Sequence, residues 1–439
     1  MFRRLVLITL FLIIVLQPAQ GLDFKLLISD ALGKTELLKT ELASVSSSLT
    51  ASQSVSNVES ALVQGFLKSV EKVQIDLKNA SFDADHTLIL ERGMQYLQEA
   101  NQSLVHGEII PARDLIESLV NELRGILGLQ KEGLAFTEVP VSFKSSGIDM
   151  TGVIFLPKNL SAGKKIPGII LAGPFSGIKE QVVSDYAKYL ATYGFAAMTF
   201  DYRTLGASGG EPRQEVIPAN QVEDLRAALT FLESRPEVNP NQLGTLGICM
   251  GGGMVIPFAA DDMRIKAVAG VAGSYLNAEV MRNRLGSQTF DPFLAGAKTD
   301  FDNYQTQKKV EYLPLVAPNN GPAFMRGDEP YTYYHRTSIT TAPRWKNQVA
   351  KHCVYQFLTW DTLNPVRKIA PRPLLIVHGK TDHYCLPEDA QAVFDLAGNP
   401  KEIYWIATTN HIDLYDNDHY VRDAAQKVIR FFQKELKNN

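Results

Sequence analysis

The chain has 439 residues, 45% of them hydrophobic and 21% charged, with a formal net charge of −3. That composition describes a folded globular protein, long enough for one large domain and an additional module, and excludes a low-complexity chain. No run of five basic residues occurs, so nucleic acid is not an expected partner.

The first element is a targeting segment. Phe2-Arg3-Arg4 gives a positive start, Leu5–Leu16 is a twelve-residue apolar core, and Ala19-Gln20-Gly21 offers small residues at the cleavage spacing. Residues 1–21 read as a secretory signal peptide cleaved after Gly21. The core is shorter than the ~20 apolar residues a spanning helix needs. An uncleaved membrane anchor over residues 5–16 stays open as the alternative. The expected location is exported: periplasmic, extracellular or at the cell surface.

Residues 22–133 read as a separate all-helical module. Apolar residues recur at helical spacing, as in Leu27, Ala31, Leu38 and Leu42, then Val58, Leu62, Phe66 and Val70, then Leu115, Leu119, Leu123 and Leu127. Ser/Thr-rich and Gly/Pro breaks divide the stretch into three or four helices. Nothing catalytic stands out in it, and a spacer or dimerisation role is expected.

From residue 134 the pattern changes. Strand-like runs at 137–143, 150–156, 167–172, 195–201, 265–271, 373–378 and 403–407 alternate with helical stretches such as 221–233. The reading is an α/β fold, a mostly parallel sheet with helices on both faces, over residues 134–439. Active residues then lie at the carboxyl ends of the strands. Between Gly273 and Pro371 the alternation stops for nearly a hundred residues. That is too long for a loop and predicts a helical cap at about 274–370 without strands. Its many aromatics, among them Phe293, Phe324, Tyr334, Phe357 and Trp360, suggest an apolar acyl or alcohol group in the substrate.

Chemistry concentrates at Gly247-Ile248-Cys249-Met250-Gly251. A buried strand precedes it and an apolar helix follows, the setting of a nucleophile elbow with cysteine in place of serine. The helix N-terminus favours the thiolate, the reactive form. Such a hydrolase needs an acid and then a histidine further along the chain. Asp382 follows the strand-like run Pro373–His378, and His411 follows Ile403–Ala407. In that arrangement His411 moves the proton, and Asp382 fixes its tautomer and stabilises its charged form. Asp413 and Asp416 are nearer His411 in sequence and compete for the acid role, although neither directly follows a strand. The oxyanion hole needs two backbone N–H groups. Met250, after the nucleophile, supplies one. The loop Gly173–Gly177 supplies the other, from Phe175 or, as runner-up, Ser176.

At these residues the chain resembles the dienelactone-hydrolase-like branch of the α/β-hydrolase superfamily, with relatives near the X-Pro dipeptidyl peptidases. The resemblance covers about residues 137–436. It rests on Gly173–Gln181, Phe200–Arg213, the elbow, Pro371–Asp382 and His411–Asp416. It implies acyl-bond hydrolysis by a Cys249-His411-Asp382 triad, with no metal and no organic cofactor. One departure matters. Pro174 stands where dienelactone hydrolase proper carries a glutamate that restrains its cysteine, so the lactone substrate is not carried over.

The expected function is thus an exported hydrolase of carboxylic esters, lactones or thioesters, acting through an acyl-cysteine on a small-molecule substrate. The alternatives are a peptidase, a binding protein on a hydrolase fold, and a thiol redox role for Cys249. Export bears on the other two cysteines: Cys353 and Cys385 either pair with each other or stay reduced, with Cys385 lining the pocket. The charged clusters Asp201-Tyr202-Arg203 and Glu211-Pro212-Arg213 are expected to hold loops rather than substrate.

Overall fold

Ser146 and Gly147 fix the first hairpin of the sheet. Both have positive φ, 47° and 81°, as a two-residue turn matched to the twist of paired strands requires. They join β1 (Phe136–Ser145) to β2 (Ile148–Pro157) in an antiparallel pair. Burial alternates along the second half of β1, as expected of an edge strand with one covered face. The computed structural model describes residues 134–318 and 321–437. The signal-peptide and helical-module readings lie outside them.

The interior strands are β3 (Ile166–Ala172), β4 (Ala196–Phe200), β5 (Val238–Ile248), β6 (Ile265–Val271) and β7 (Leu374–Gly379). In β3, β4 and β7 every residue is buried. Strands covered on both faces lose the polar alternation of an edge strand. The edge strand β8 (Lys401–Ile406) completes an eight-stranded sheet of order β1-β2-β4-β3-β5-β6-β7-β8. All neighbours from β4 to β8 run parallel. Helices α1 (Val182–Thr192), α2 (Pro218–Glu233) and α3 (Met250–Asp261) connect its middle strands. The fold class expected from the sequence is the one observed. The sheet and the site belong to one compact unit.

The stretch between β6 and β7 holds α4 (Ala278–Leu285), α5 (Ser287–Gln307), α6 (Asp328–Ile339) and α7 (Cys353–Leu358). The expectation of a stretch without strands is corrected. Tyr312–Leu313 pairs antiparallel with Val349–Ala350, and Val316–Ala317 pairs parallel with Met325–Arg326. Two-residue pairs carry no periodic signal, so sequence patterning does not reveal them. Thr362 ties the two ends of the stretch together. Its Oγ1 accepts from Leu276 N at 2.7 Å, and its N–H donates to Leu276 O at 2.9 Å. After β7 come α8 (Pro387–Leu396) and, after β8, α9 (Asp418–Lys437).

Candidate active site

The elbow forms where β5 turns directly into α3. Cys249 adopts φ 56° and ψ −123°, a conformation rarely taken by L-residues and costing of order 1–3 kcal/mol. Two glycines make it sterically possible. A Cβ on Gly247 would lie 2.1 Å from Gly251 O, and one on Gly251 would lie 2.1 Å from Ala172 O. The second contact seats the elbow against the end of β3 and so against the Gly173–Gly177 loop. The Cys249 N–H donates to Val271 O at 3.1 Å, and its carbonyl accepts from Gly252 and Ser274, each at 2.9 Å. Neighbouring strand ends thereby hold the strained turn.

The acid and histidine loops leave adjacent strands in register, Gly379 opposite Ile406. Lys380 N donates to Ile406 O at 2.7 Å, and Thr408 Oγ1 donates to Thr381 O at 2.8 Å. This clasp brings Asp382 Oδ2 to 2.6 Å from His411 Nδ1. The other carboxylate oxygen, Oδ1, accepts from Tyr384 N at 2.9 Å and Cys385 N at 2.8 Å. One carboxylate therefore orients the imidazole and folds the turn that carries Cys385. Asp413 does not reach the imidazole nitrogens. Its Oδ2 accepts from Thr409 N at 2.7 Å and Thr409 Oγ1 at 2.9 Å, which shapes the histidine loop. Asp416 is paired with Arg336.

The structure brings Cys249, Asp382 and His411 together. The Sγ of Cys249, the Sγ of Cys385 and a ring nitrogen of His411 all lie within 4.8 Å of one another. All are buried. Cys385 Sγ is 3.9 Å from Cys249 Sγ, so of the two alternatives for Cys353 and Cys385 the structure shows the unpaired one, with Cys385 at the site. Cys353 sits instead beside Glu215 and His352, and all three cysteines are free thiols. The reason lies in the Asp382 turn, which aims Cys385 at the elbow.

The electrostatics favour an ion pair. The Cys385 thiol donates toward Cys249; this and the His411 charge overcome burial and hold the Cys249 thiol well below its usual range. Cys385 is pushed up correspondingly by that hydrogen bond and by burial. Burial opposes a charged His411, but Asp382 and the Cys249 thiolate outweigh it and raise the imidazole to about 10. Burial would raise Asp382, yet the charge and hydrogen bond of His411 keep it below its ordinary value.

Among the described residues, neither the Met250 nor the Phe175 N–H donates to a protein acceptor. The Phe175 ring stacks on Phe324 at 4.3 Å and meets Phe357 edge-on at 5.1 Å, so the cap insertion braces the loop. Ser176, the runner-up, takes φ 57°. Beside Met250 lies a partly open pocket whose lining includes Met254, Leu276, Met281, Phe357 and Trp360.

Two residues escaped the sequence reading. Tyr415 Oη lies 3.1 Å from His411 Nε2. Its spacing of four from His411, one helical turn, was the available signal. Glu329, in the first turn of α6, accepts from Ile412 N at 2.7 Å; no local signal marks a contact so distant in sequence. The charged clusters hold loops, as expected. Asp201 accepts from Lys179 N and Lys179 Nζ, each at 2.8 Å, and Arg203 pairs with Asp224 at 2.6 Å. Arg213 donates to Gly206 O at 2.9 Å.

A model of the dienelactone hydrolase family matches residues 150–311. The protein PA2218 of Pseudomonas aeruginosa is 30% identical over 305 residues, covering 66% of this chain and 78% of that protein. This chain belongs to the dienelactone hydrolase family. The crystal structure of PA2218 agrees with a TM-score of 0.61 at 27% identity, over 70% of this chain and 96% of that one. The polyketide transferase grgF of Penicillium sp. is 27% identical, over 66% of this chain and 94% of the relative. The GrgF crystal structure, an α/β hydrolase, matches with a TM-score of 0.57 at 25% identity, over 69% of this chain and 99% of that chain. The thiohydrolase aneE of Aspergillus aculeatus is 26% identical, over 62% and 86% of the two chains. The protein is therefore an α/β-hydrolase of the dienelactone hydrolase type, and its candidate site lies where this fold places its chemistry.

Proposed function

We propose that this chain cleaves thioesters and carboxylic esters of apolar acyl groups through an acyl-Cys249 intermediate. The observation that carries the reading is a cysteine on a strained elbow within 4.8 Å of a ring nitrogen of His411, an imidazole whose Nδ1 is held by Asp382 at 2.6 Å. The Cys249 thiolate attacks the carbonyl carbon, and the oxyanion accepts the N–H groups of Met250 and Phe175. As the tetrahedral intermediate collapses, His411 Nε2 gives its proton to the departing thiolate or alkoxide. Water then enters, His411 takes its proton, and the acyl–sulfur bond breaks to release the acid and restore Cys249. The relatives named thiohydrolase and polyketide transferase favour a thioester as the activated substrate. The cavity beside Met250, lined by methionines and aromatics, suits an apolar acyl chain.

A panel of short- to long-chain acyl thioesters and p-nitrophenyl esters tests this. Turnover abolished in Cys249→Ala and reduced by several orders of magnitude in His411→Ala is expected. Equal turnover in wild type and Cys249→Ala would sink the assignment. We further infer that residues 1–21 direct export, on the strength of their charged start, apolar core and small residues. N-terminal sequencing of the protein from fractionated host cells should find the mature chain starting after Gly21, outside the cytoplasm. A chain retaining residues 5–16 in the membrane fraction would favour the anchor instead.

A further inference from the structure

Cys385 forms no bond to the acyl group in the proposed reaction, yet its sulfur lies 3.9 Å from that of Cys249. With His411 it completes a cluster of two sulfurs and one imidazole nitrogen within 4.8 Å. We propose that Cys249, Cys385 and His411 form a site for a soft divalent cation, Zn²⁺, that closes the hydrolytic centre reversibly. The inhibitory consequence rests on the hydrolase reading; the site itself rests on geometry.

Three features fit zinc. With Zn–S bonds of ~2.3 Å, sulfurs 3.9 Å apart subtend an S–Zn–S angle of about 116°, near tetrahedral. The donor set has no oxygen, which selects zinc over magnesium or calcium. His411 already directs Nδ1 to Asp382 at 2.6 Å, the outer carboxylate contact that orients most metal-bound histidines. Nε2, the nitrogen facing Tyr415 at 3.1 Å, is the donor. A second cluster, Glu215, His352 and Cys353, is less suited. There His352 Nε2 is engaged by Glu215 at 2.7 Å, and its ring is stacked on Tyr304 at 3.7 Å.

Binding balances without an oxidant. The resting centre holds a Cys249 thiolate, a Cys385 thiol and a His411 imidazolium. Zn²⁺ takes one lone pair from each sulfur and one from Nε2. The protons of Cys385 and Nε2 leave to water, and a water molecule completes the fourth position. With its lone pair on the metal, Cys249 no longer attacks a carbonyl.

The full chain, in oxygen-free buffer with a phosphine reductant, is titrated with Co²⁺ as the spectroscopic probe. One equivalent should produce a thiolate-to-cobalt charge-transfer band and the intense visible bands of tetrahedral cobalt, both erased by one equivalent of Zn²⁺. Cys249→Ser and Cys385→Ser should each lose these bands, and Cys353→Ser should keep them. Asp382→Asn should weaken binding about 10- to 100-fold. In the wild type, Zn²⁺ should protect Cys249 and Cys385 from iodoacetamide, with EDTA restoring labelling. An octahedral cobalt spectrum, or thiolate bands surviving in a folded Cys385→Ser, overturns the site. If Cys385→Ser does not fold, the wild type decides: labelling unchanged by Zn²⁺ overturns it equally. Absent thioester turnover with an intact cobalt spectrum would instead remove the hydrolase reading and leave the metal site standing.

Discussion

At Cys249 three local effects converge on one sulfur: a helix N-terminus, an imidazolium and a donating thiol. The thiol and the imidazolium outweigh burial and favour the thiolate, and a helix N-terminus acts in the same direction, so alkylation should report it. The rate of iodoacetamide labelling at Cys249 should stay flat through neutral pH and fall only in acid, without the inflection near ~8.5 of an ordinary thiol. In Cys385→Ala the inflection should move upward. An ordinary thiol profile in the wild type would contradict the ion pair. The His411–Asp382 pair also makes a stability prediction. His411 is raised to about 10, so its contribution is whole below ~6.5 and is lost as pH rises from there through about 10. Asp382 is lowered, so its contribution is present above ~3.9 and is lost as pH falls through its folded value. Urea midpoints across pH should therefore decline on the alkaline side in the wild type and flatten there in Asp382→Asn.

The elements impose a different demand, on backbone and packing. The β5–α3 turn forces positive φ on Cys249, so the usual order of alanine and glycine should invert. Cys249→Gly should be more stable than Cys249→Ala by about 1 kcal/mol, read from denaturant unfolding. Gly251→Ala should cost of order 4 kcal/mol, because its Cβ would sit 2.1 Å from Ala172 O. The cap insertion makes a kinetic prediction. Thr362 joins its two ends through Leu276 and lines the cavity. Thr362→Val should raise KM more than it lowers kcat, because it loosens the wall without touching Cys249. A pure kcat effect would argue against that role. Much at this scale was legible. The strand–turn–glycine run marked the elbow, and the unbroken apolar runs marked buried strands. The two-residue strand pairs in the insertion were not, since pairing between Tyr312–Leu313 and Val349–Ala350 depends on distant backbone alone.

Over the whole molecule, sheet order converts sequence distance into proximity. Cys249, Asp382 and His411 follow β5, β7 and β8, and parallel register puts those carboxyl ends on one edge. The cavity beside Met250 then sets the substrate's size. Activity should rise with acyl length until the pocket is filled and fall beyond it, and Trp360→Ala, which removes part of its wall, should shift the optimum to longer chains. An equal rate across the series would remove the acyl-pocket assignment. The sequence by itself determined the α/β class and nominated the nucleophile, acid and histidine. Those follow from local periodicity, from glycines where a turn needs them, and from the chain order of three residue types. Only the tertiary structure decided what Cys385, Tyr415 and Glu329 touch. Their partners lie across turns whose direction is set by hydrogen bonds, such as those from the Tyr384 and Cys385 N–H groups to Asp382 Oδ1. A thiol three residues from an acid has no periodicity to betray it. It meets Cys249 because Asp382 folds the turn, and that contact exists only once β5, β6 and β7 are packed in that order.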